Sequence, residues 1–302
     1  MKKPGLLVLA MIAVCSWSVF ALRIVCTTTI VGDVVARIAG EENELRVLLP
    51  VDADPHAFEP TPRDLVAISR ADVVFLNGAG LERNLDPILE NAVGLVVALS
   101  NELDLLYIDD ADHETDPPED HPPDEPDPHV WFDPTYVSAW VDRIADLLSN
   151  LDPANEAGYR ARAAVYRSEI AELDAWISEQ VSGLPEQRRR LVTDHAVFGY
   201  FAARYGFDQV GTVFPGLSSL AEPSARELAS LEEAIVGLGV PVLFVGTTVN
   251  RSLAEQVAAD TGTRIVTLYT GSLSGPNEPA RSYLELMRYD VATIVEALAG
   301  VS

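Results

Sequence analysis

Short, uninterrupted runs of β-branched residues alternate with helical patterns along most of the chain, and this alternation restricts the fold more than any other feature. The runs fall at 23–28, 45–49, 72–76, 95–99, 190–193, 209–213, 240–245 and 264–269. Strands that are continuously apolar belong to sheets covered on both faces, which means parallel strands joined by crossover helices. Helical patterns at 31–39, 62–69, 225–238 and 252–261 supply the crossovers. The alternation breaks once. A helix is predicted from Asp133-Pro134 to about residue 148, and a longer one from 153 to about 181, with Asp152 as N-cap and Pro153 at the first helical position. Within the longer one Tyr159, Ala163, Tyr166, Ile170, Leu173, Ile177 and Val181 recur at helical spacing. At roughly 1.5 Å per residue it would reach ~45 Å, enough to run the length of a domain. Gly183-Leu184-Pro185 ends it and the alternation resumes at Arg190. The expected fold is α/β, with two lobes (22–152 and 184–302) of mainly parallel sheet and flanking helices, joined by a long helix over 153–183.

The first residues have the composition of a targeting segment rather than of the fold. Lys2 and Lys3 precede an apolar stretch at 6–14, and Val19-Phe20-Ala21 offers a small-x-small cleavage site after Ala21. The apolar stretch is shorter than the ~20 residues a spanning helix needs. Cys15 follows Val14, where a lipidation signal wants a small residue, so residues 1–21 are expected to be a cleaved signal peptide and the mature protein a soluble one in the periplasm. Cleavage leaves Cys26 as the sole cysteine, in an apolar strand, which excludes an intramolecular disulfide. The net charge of −25 becomes −27 once Lys2 and Lys3 leave, and every remaining basic side chain is arginine. Nucleic acid is excluded as a partner by that balance.

Chemistry concentrates in the histidines. The chain has five, and the tripeptide Asp-Pro-His occurs twice, as Asp54-Pro55-His56 and Asp127-Pro128-His129. A third copy of the theme is Thr193-Asp194-His195. Proline restricts the aspartate before it to extended backbone and fixes its own φ, so each histidine is presented on a stiff turn. His56 and His195 follow strand ends, where open α/β sheets bind ligands, and His129 precedes a helix. Two histidines from one lobe and one from the other would place a metal in the cleft between them. Neutral imidazoles without an evident carboxylate partner suit tetrahedral zinc, at ~2.0–2.1 Å per bond, whereas manganese prefers oxygen-rich sites and copper binds imidazole strongly. Asp54, Asp127 and Asp194 are placed to orient the rings, and Trp131 and Phe198 to wall the cleft.

These stretches carry a family resemblance. Residues 27–33 (Thr27-Thr28-Thr29-Ile30-Val31-Gly32-Asp33), 54–62 around His56, 71–78 ending Asn77-Gly78, 127–131 around His129, 193–200 around His195, and Ala221-Glu222-Pro223-Ser224 stand in order along nearly the whole mature chain. Together they resemble the periplasmic metal-binding proteins of ABC transporters, the zinc and manganese solute-binding family with its ZnuA, TroA and AztC types. The segment from Tyr269 to Tyr289 looks most like the AztC type. The resemblance implies two four-stranded lobes, a rigid linking helix and metal-ligand roles for His56, His129 and His195. It implies a monomeric, non-enzymatic protein that delivers Zn2+ to an ABC permease, with a periplasmic zinc metallochaperone as a further partner. Many relatives carry an aspartate where this chain has Gly271, leaving the fourth ligand to water or to a carboxylate such as Glu222, Asp208 or Asp260.

A stretch at 109–128 holds ten carboxylates with interspersed prolines and His113 and His121. It cannot bury a core and reads as a solvated loop, either feeding zinc to the cleft or serving no transfer role. Two other functions compete. Three histidines and an open position also describe a zinc hydrolase or hydratase, but His-Glu-x-x-His and Gly-x-Ser-x-Gly are both absent. A surface adhesin would want a lipid anchor.

Overall fold

A computed structural model describes residues 21–107, 125–220 and 222–300. The expected signal segment up to residue 20, and 109–124 of the acidic stretch with His113 and His121, lie outside the described residues.

The first lobe starts with β1 (Arg23–Cys26), α1 (Thr29–Ala39), β2 (Glu44–Val47), α2 (Pro62–Arg70), β3 (Val73–Leu76), the single turn α3 (Asp86–Leu89) and β4 (Leu95–Ala98). Its four parallel strands lie in the order β2-β1-β3-β4. Then α4 (Pro134–Leu151) and α5 (Glu156–Ser182) run side by side. The second lobe follows as β5 (Arg190–Thr193), α6 (Gly199–Tyr205), β6 (Asp208–Thr212), α7 (Ala225–Leu238), β7 (Val242–Gly246), α8 (Ser252–Thr261), β8 (Arg264–Leu268) and α9 (Tyr283–Ala299). Its order, β6-β5-β7-β8, repeats that of the first, again all parallel. The most apolar strands take the central places: every residue of β3 (VVFL) and β7 (VLFVG) is buried. β2, at an edge, alternates exposed and half-buried positions.

All seven periodic positions of α5, from Tyr159 to Val181, are buried. Its start differs from the expectation. Asp152 closes α4 instead of capping α5, and its carboxylate accepts from Asn155 Nδ2 (2.6 Å) and from the Tyr159 hydroxyl (2.9 Å). With that carboxylate holding side chains rather than backbone N–H groups, Pro153 sits in the turn and the helix begins at Glu156. At 27 residues it spans roughly 40 Å. α6 and α9 also emerge only here. α9 carries a clear signal, since Tyr283, Leu286, Met287, Val291, Ile294 and Leu298 recur at helical spacing and are buried.

One apolar core is continuous from β1, α1 and β3 through Trp140, Ile144 and the buried stripe of α5 to Leu191, Phe201, Phe244 and α9. Side chains of both lobes therefore pack into one body around α5. Hydrogen bonds cross between lobes as well: Tyr283 N–H donates to Asp33 Oδ2 (2.9 Å), and the Tyr283 hydroxyl to Trp131 O (2.9 Å). Large changes of lobe angle would have to break that core.

Candidate metal centre

The C-terminal ends of both sheets face one cleft, and the three predicted histidines meet there. His56 stands on the turn after β2. Asp54 Oδ1 accepts the His56 backbone N–H (2.9 Å), and the His56 carbonyl accepts from Asn84 Nδ2 (2.9 Å). His129 precedes the short helical turn Val130–Phe132, which leads into α4 through the N-cap Asp133. Asp127 Oδ1 accepts both the backbone N–H (2.9 Å) and the ring Nδ1–H (2.7 Å) of His129. His195 follows β5. Asp194 Oδ1 accepts its backbone N–H (2.7 Å) and its Nδ1–H (2.6 Å), while Asp194 Oδ2 accepts from the Gly246 N–H (2.6 Å) at the end of β7.

Two of the three expected ring-orienting aspartates therefore do orient a ring. Asp54 does not: its second oxygen accepts from the Ser219 hydroxyl of the other lobe, so it holds the turn. An oxygen that already accepts a backbone N–H is an acceptor toward the ring too, which places the protons of His129 and His195 on Nδ1. Their Nε2 lone pairs then point into the cleft. His56 Nε2 lies 3.2 Å and His195 Nε2 3.3 Å from His129 Nε2. Lone pairs crowded in this way repel one another unless a cation sits between them. These three residues, among the described ones, form the group able to hold a metal ion.

Electrostatics follow burial. Burial holds His129 and His56 well below the ordinary imidazole value, so both rings are neutral at neutral pH. Burial acts the same way on His195, but the adjacent Asp194 outweighs it and raises that ring. Asp194, although buried, is held below the usual carboxylate range by His195 and by the Gly246 N–H. Burial pushes Asp127 up to about 7. A cation at the three Nε2 atoms would take the place of the proton that His195 favours.

Supports that the sequence did not reveal lie one layer out. Glu82 is buried and accepts from Thr27 Oγ1 (2.7 Å), Asn77 N–H (2.7 Å) and Gly78 N–H (3.0 Å), tying together the ends of β1 and β3. Asn77 Nδ2 in turn donates to Pro128 O (2.9 Å), beside His129. The Tyr200 hydroxyl donates to Asp127 O (2.8 Å). Trp131 meets the His129 ring edge-on at 5.3 Å, and its side chain is buried in the core. Phe198 lies in the same core, tilted against Phe132 at 4.5 Å. The carboxylates considered for a fourth ligand stay away. Asp208 is exposed at the start of β6, the opposite end of the sheet, and Glu222 and Asp260 are also exposed.

Comparison with known proteins matches this architecture. Residues 24–297 fit the family model described as ZnuA, zinc-uptake complex component A, periplasmic. The manganese-binding lipoprotein MntA of Halalkalibacterium halodurans is 34% identical over 280 residues, covering 92% of this chain and 89% of that protein. The metal ABC transporter substrate-binding lipoprotein SsaB of Streptococcus sanguinis is 28% identical over 321 residues, 99% of this chain and 100% of that protein. Among solved structures, the periplasmic zinc binding protein TroA of Treponema pallidum superposes with a TM-score of 0.82 at 26% identity, over 92% of this chain and 99% of that one.

Proposed function

From the premise that the chain belongs to the ZnuA family, the substrate-binding components of metal ABC transporters, we propose that its cargo is Zn2+, bound by His56, His129 and His195 and delivered to a membrane permease. Proteins of this family are binding components, not enzymes, so the three imidazoles serve capture rather than hydrolysis.

The observation that carries the zinc reading is the spacing and chemistry of the donors. Bonds of ~2.0–2.1 Å at the tetrahedral angle separate ligand nitrogens by ~3.3–3.4 Å. The two Nε2 separations here are 3.2 and 3.3 Å. No carboxylate joins the group among the described residues. Manganese, a hard ion, gains little from an all-imidazole set. It remains the second reading, because the relative at 34% identity is named for manganese.

The rest of the proposal concerns placement. Residues 1–21 direct export to the periplasm, and among the described residues no helix is long and apolar enough to cross a membrane. Lobes at 22–152 and 184–302 flank the linker 153–183, and the mature protein works as a monomer. An AztC-type relationship, with a zinc metallochaperone as donor, belongs to the same proposal. So does a zinc-gathering role for the acidic stretch, which deletion of 109–126 tests.

Metal analysis of the mature protein, beside His195→Ala, tests the core of this reading. One tight zinc per chain, lost or greatly weakened in the variant and not displaced by equimolar manganese, is expected. Tight binding indifferent to His195, or a preference for manganese, overturns it.

A further inference from the structure

We infer that the second lobe carries an anion pocket, at the end of its sheet opposite to His195, which takes a phosphate group on a short apolar stem. This pocket is independent of the metal reading.

A cavity of about 210 Å3 opens where β5 and β7 begin. Its lining joins Arg188 and Arg190 to Leu238, Val240, Pro241 and Leu298. Arg190 is the first residue of β5 and His195 lies beyond its last, so the length of the strand separates this cavity from the metal centre. The remaining lining residues, Gln187 and Gly239, are neutral, so no carboxylate lines the cavity.

That is unusual company for arginine in a chain of net charge −25. Elsewhere arginines lie against carboxylates: Arg23 on Asp72, Arg162 on Glu42, Arg204 on Asp174. Arg188 and Arg190 form no ion pair among the described residues. Even Asp208, the exposed register partner of Arg190 on β6, makes none with it. Backbone carbonyls hold the two guanidinium groups instead. Arg188 Nη1 donates to Ala299 O (2.9 Å) and Arg190 Nη1 to Leu238 O (3.2 Å), the last residues of α9 and α7. A cation suits a helix C-terminus, and this capping occupies one nitrogen of each arginine. The rest of each planar fork is left to bind an oxyanion. A carboxylate needs only one fork, whereas two on one cavity suit the larger set of oxygens on a phosphate. The negative charge of the chain does not forbid this, because screening confines its field to about 8 Å at physiological ionic strength.

The apolar part of the lining selects for a stem. Val240 and Leu298 are buried, and Leu238 is 44% exposed, which puts it at the mouth. Gly239 leaves the space open: its φ is +62°, and a Cβ there would meet nothing within 4 Å. Each CH2 buried there should tighten binding by about fourfold.

Isothermal titration of the mature protein with butyl phosphate tests the pocket. One saturable site is expected, the same with and without zinc. Inorganic phosphate, lacking the stem, should bind at least about tenfold more weakly, and butanol, lacking the charge, should not bind. The double change Arg188→Gln and Arg190→Gln should weaken binding by about tenfold or more. Leu238→Asp alters only an exposed side chain at the mouth and should weaken it as well, by setting a carboxylate against the anion. Vesicles of phosphatidylglycerol decide the source of the phosphate. Cosedimentation that Leu238→Asp abolishes assigns a lipid headgroup, and binding of butyl phosphate without cosedimentation assigns a soluble ester. The inference is overturned if neither probe binds, if binding persists in both variants, if it requires zinc, or if butanol binds as well as its phosphate ester.

Discussion

Asp194→Asn tests whether the ring of His195 is held for metal capture or merely packed. The native carboxylate serves three donors: the His195 N–H and Nδ1–H on one oxygen, and the Gly246 N–H on the other. Asparagine keeps the shape but has a single acceptor oxygen, so its NH2 must face one donor group. If the oxygen turns to His195, the buried Gly246 N–H is orphaned, at a cost of about 1–3 kcal/mol. If the NH2 turns to His195, Nδ1 becomes the acceptor, the proton moves to Nε2, and the nitrogen aimed at the metal can no longer bind it. Either choice removes the negative charge that raises the His195 ring and strengthens it as a ligand. Loss of such a support lowers metal affinity by about 10–100-fold, or about 1.4–2.7 kcal/mol. Zinc affinity is read by competition with a chromophoric chelator, and stability by urea unfolding of the metal-free protein. The expected result is a loss on both axes. An affinity within about threefold of wild type, with stability unchanged, would refute the claim that this carboxylate organises the site.

Three other outcomes follow from the same contacts. Trp140→Ala, at a side chain of α4 fully buried in the central core, should lower stability by about 3–5 kcal/mol in denaturant titrations, whereas Val236→Ala at an exposed position should not. Burial pushes Glu82 from its ordinary 4.5 up to about 7. A carboxyl with a raised pKa contributes stability that is present below 4.5 and lost as pH rises through 7. The stability difference between wild type and Glu82→Gln should therefore fall as pH rises through that window, and a flat difference would count against it. Chelation should leave the far-ultraviolet circular dichroism unchanged, because the core is continuous without metal. Free zinc at 100 times its Kd should then add about 2.7 kcal/mol of stability.

The frame was legible because it is written locally. Each central strand is a continuous apolar run, and the stripe from Tyr159 to Val181 marks one helix face, so four consecutive residues or one helical period suffice to read them. The boundary at Asp152-Pro153 was misread because an N-cap and a side-chain clamp use the same residue, and only the position of Tyr159 decides between them. The three histidines were legible for a similar reason, each being marked by an aspartate within two positions. What was hidden is non-local. Glu82 finds Thr27 at 55 residues' distance, and Asp54 finds Ser219 at 165. No local pattern states such pairings.

These hidden contacts also show where the site can yield. His129 and His195 each have a carboxylate on Nδ1, sit nearly fully buried, and are anchored to the central core through α4 and β5. His56 has none of the three. Its turn is held by Asp54, by Asn84 and by bonds to the second lobe from Ser219 and Ser272. A lobe-scale hinge would have to open the apolar core around α5, whereas freeing His56 needs only a handful of hydrogen bonds, each with a net worth of about 0.5–1.5 kcal/mol. If the three histidines hold the cargo as proposed, withdrawing the His56 turn is the cheapest route of release, with His129 and His195 left in place.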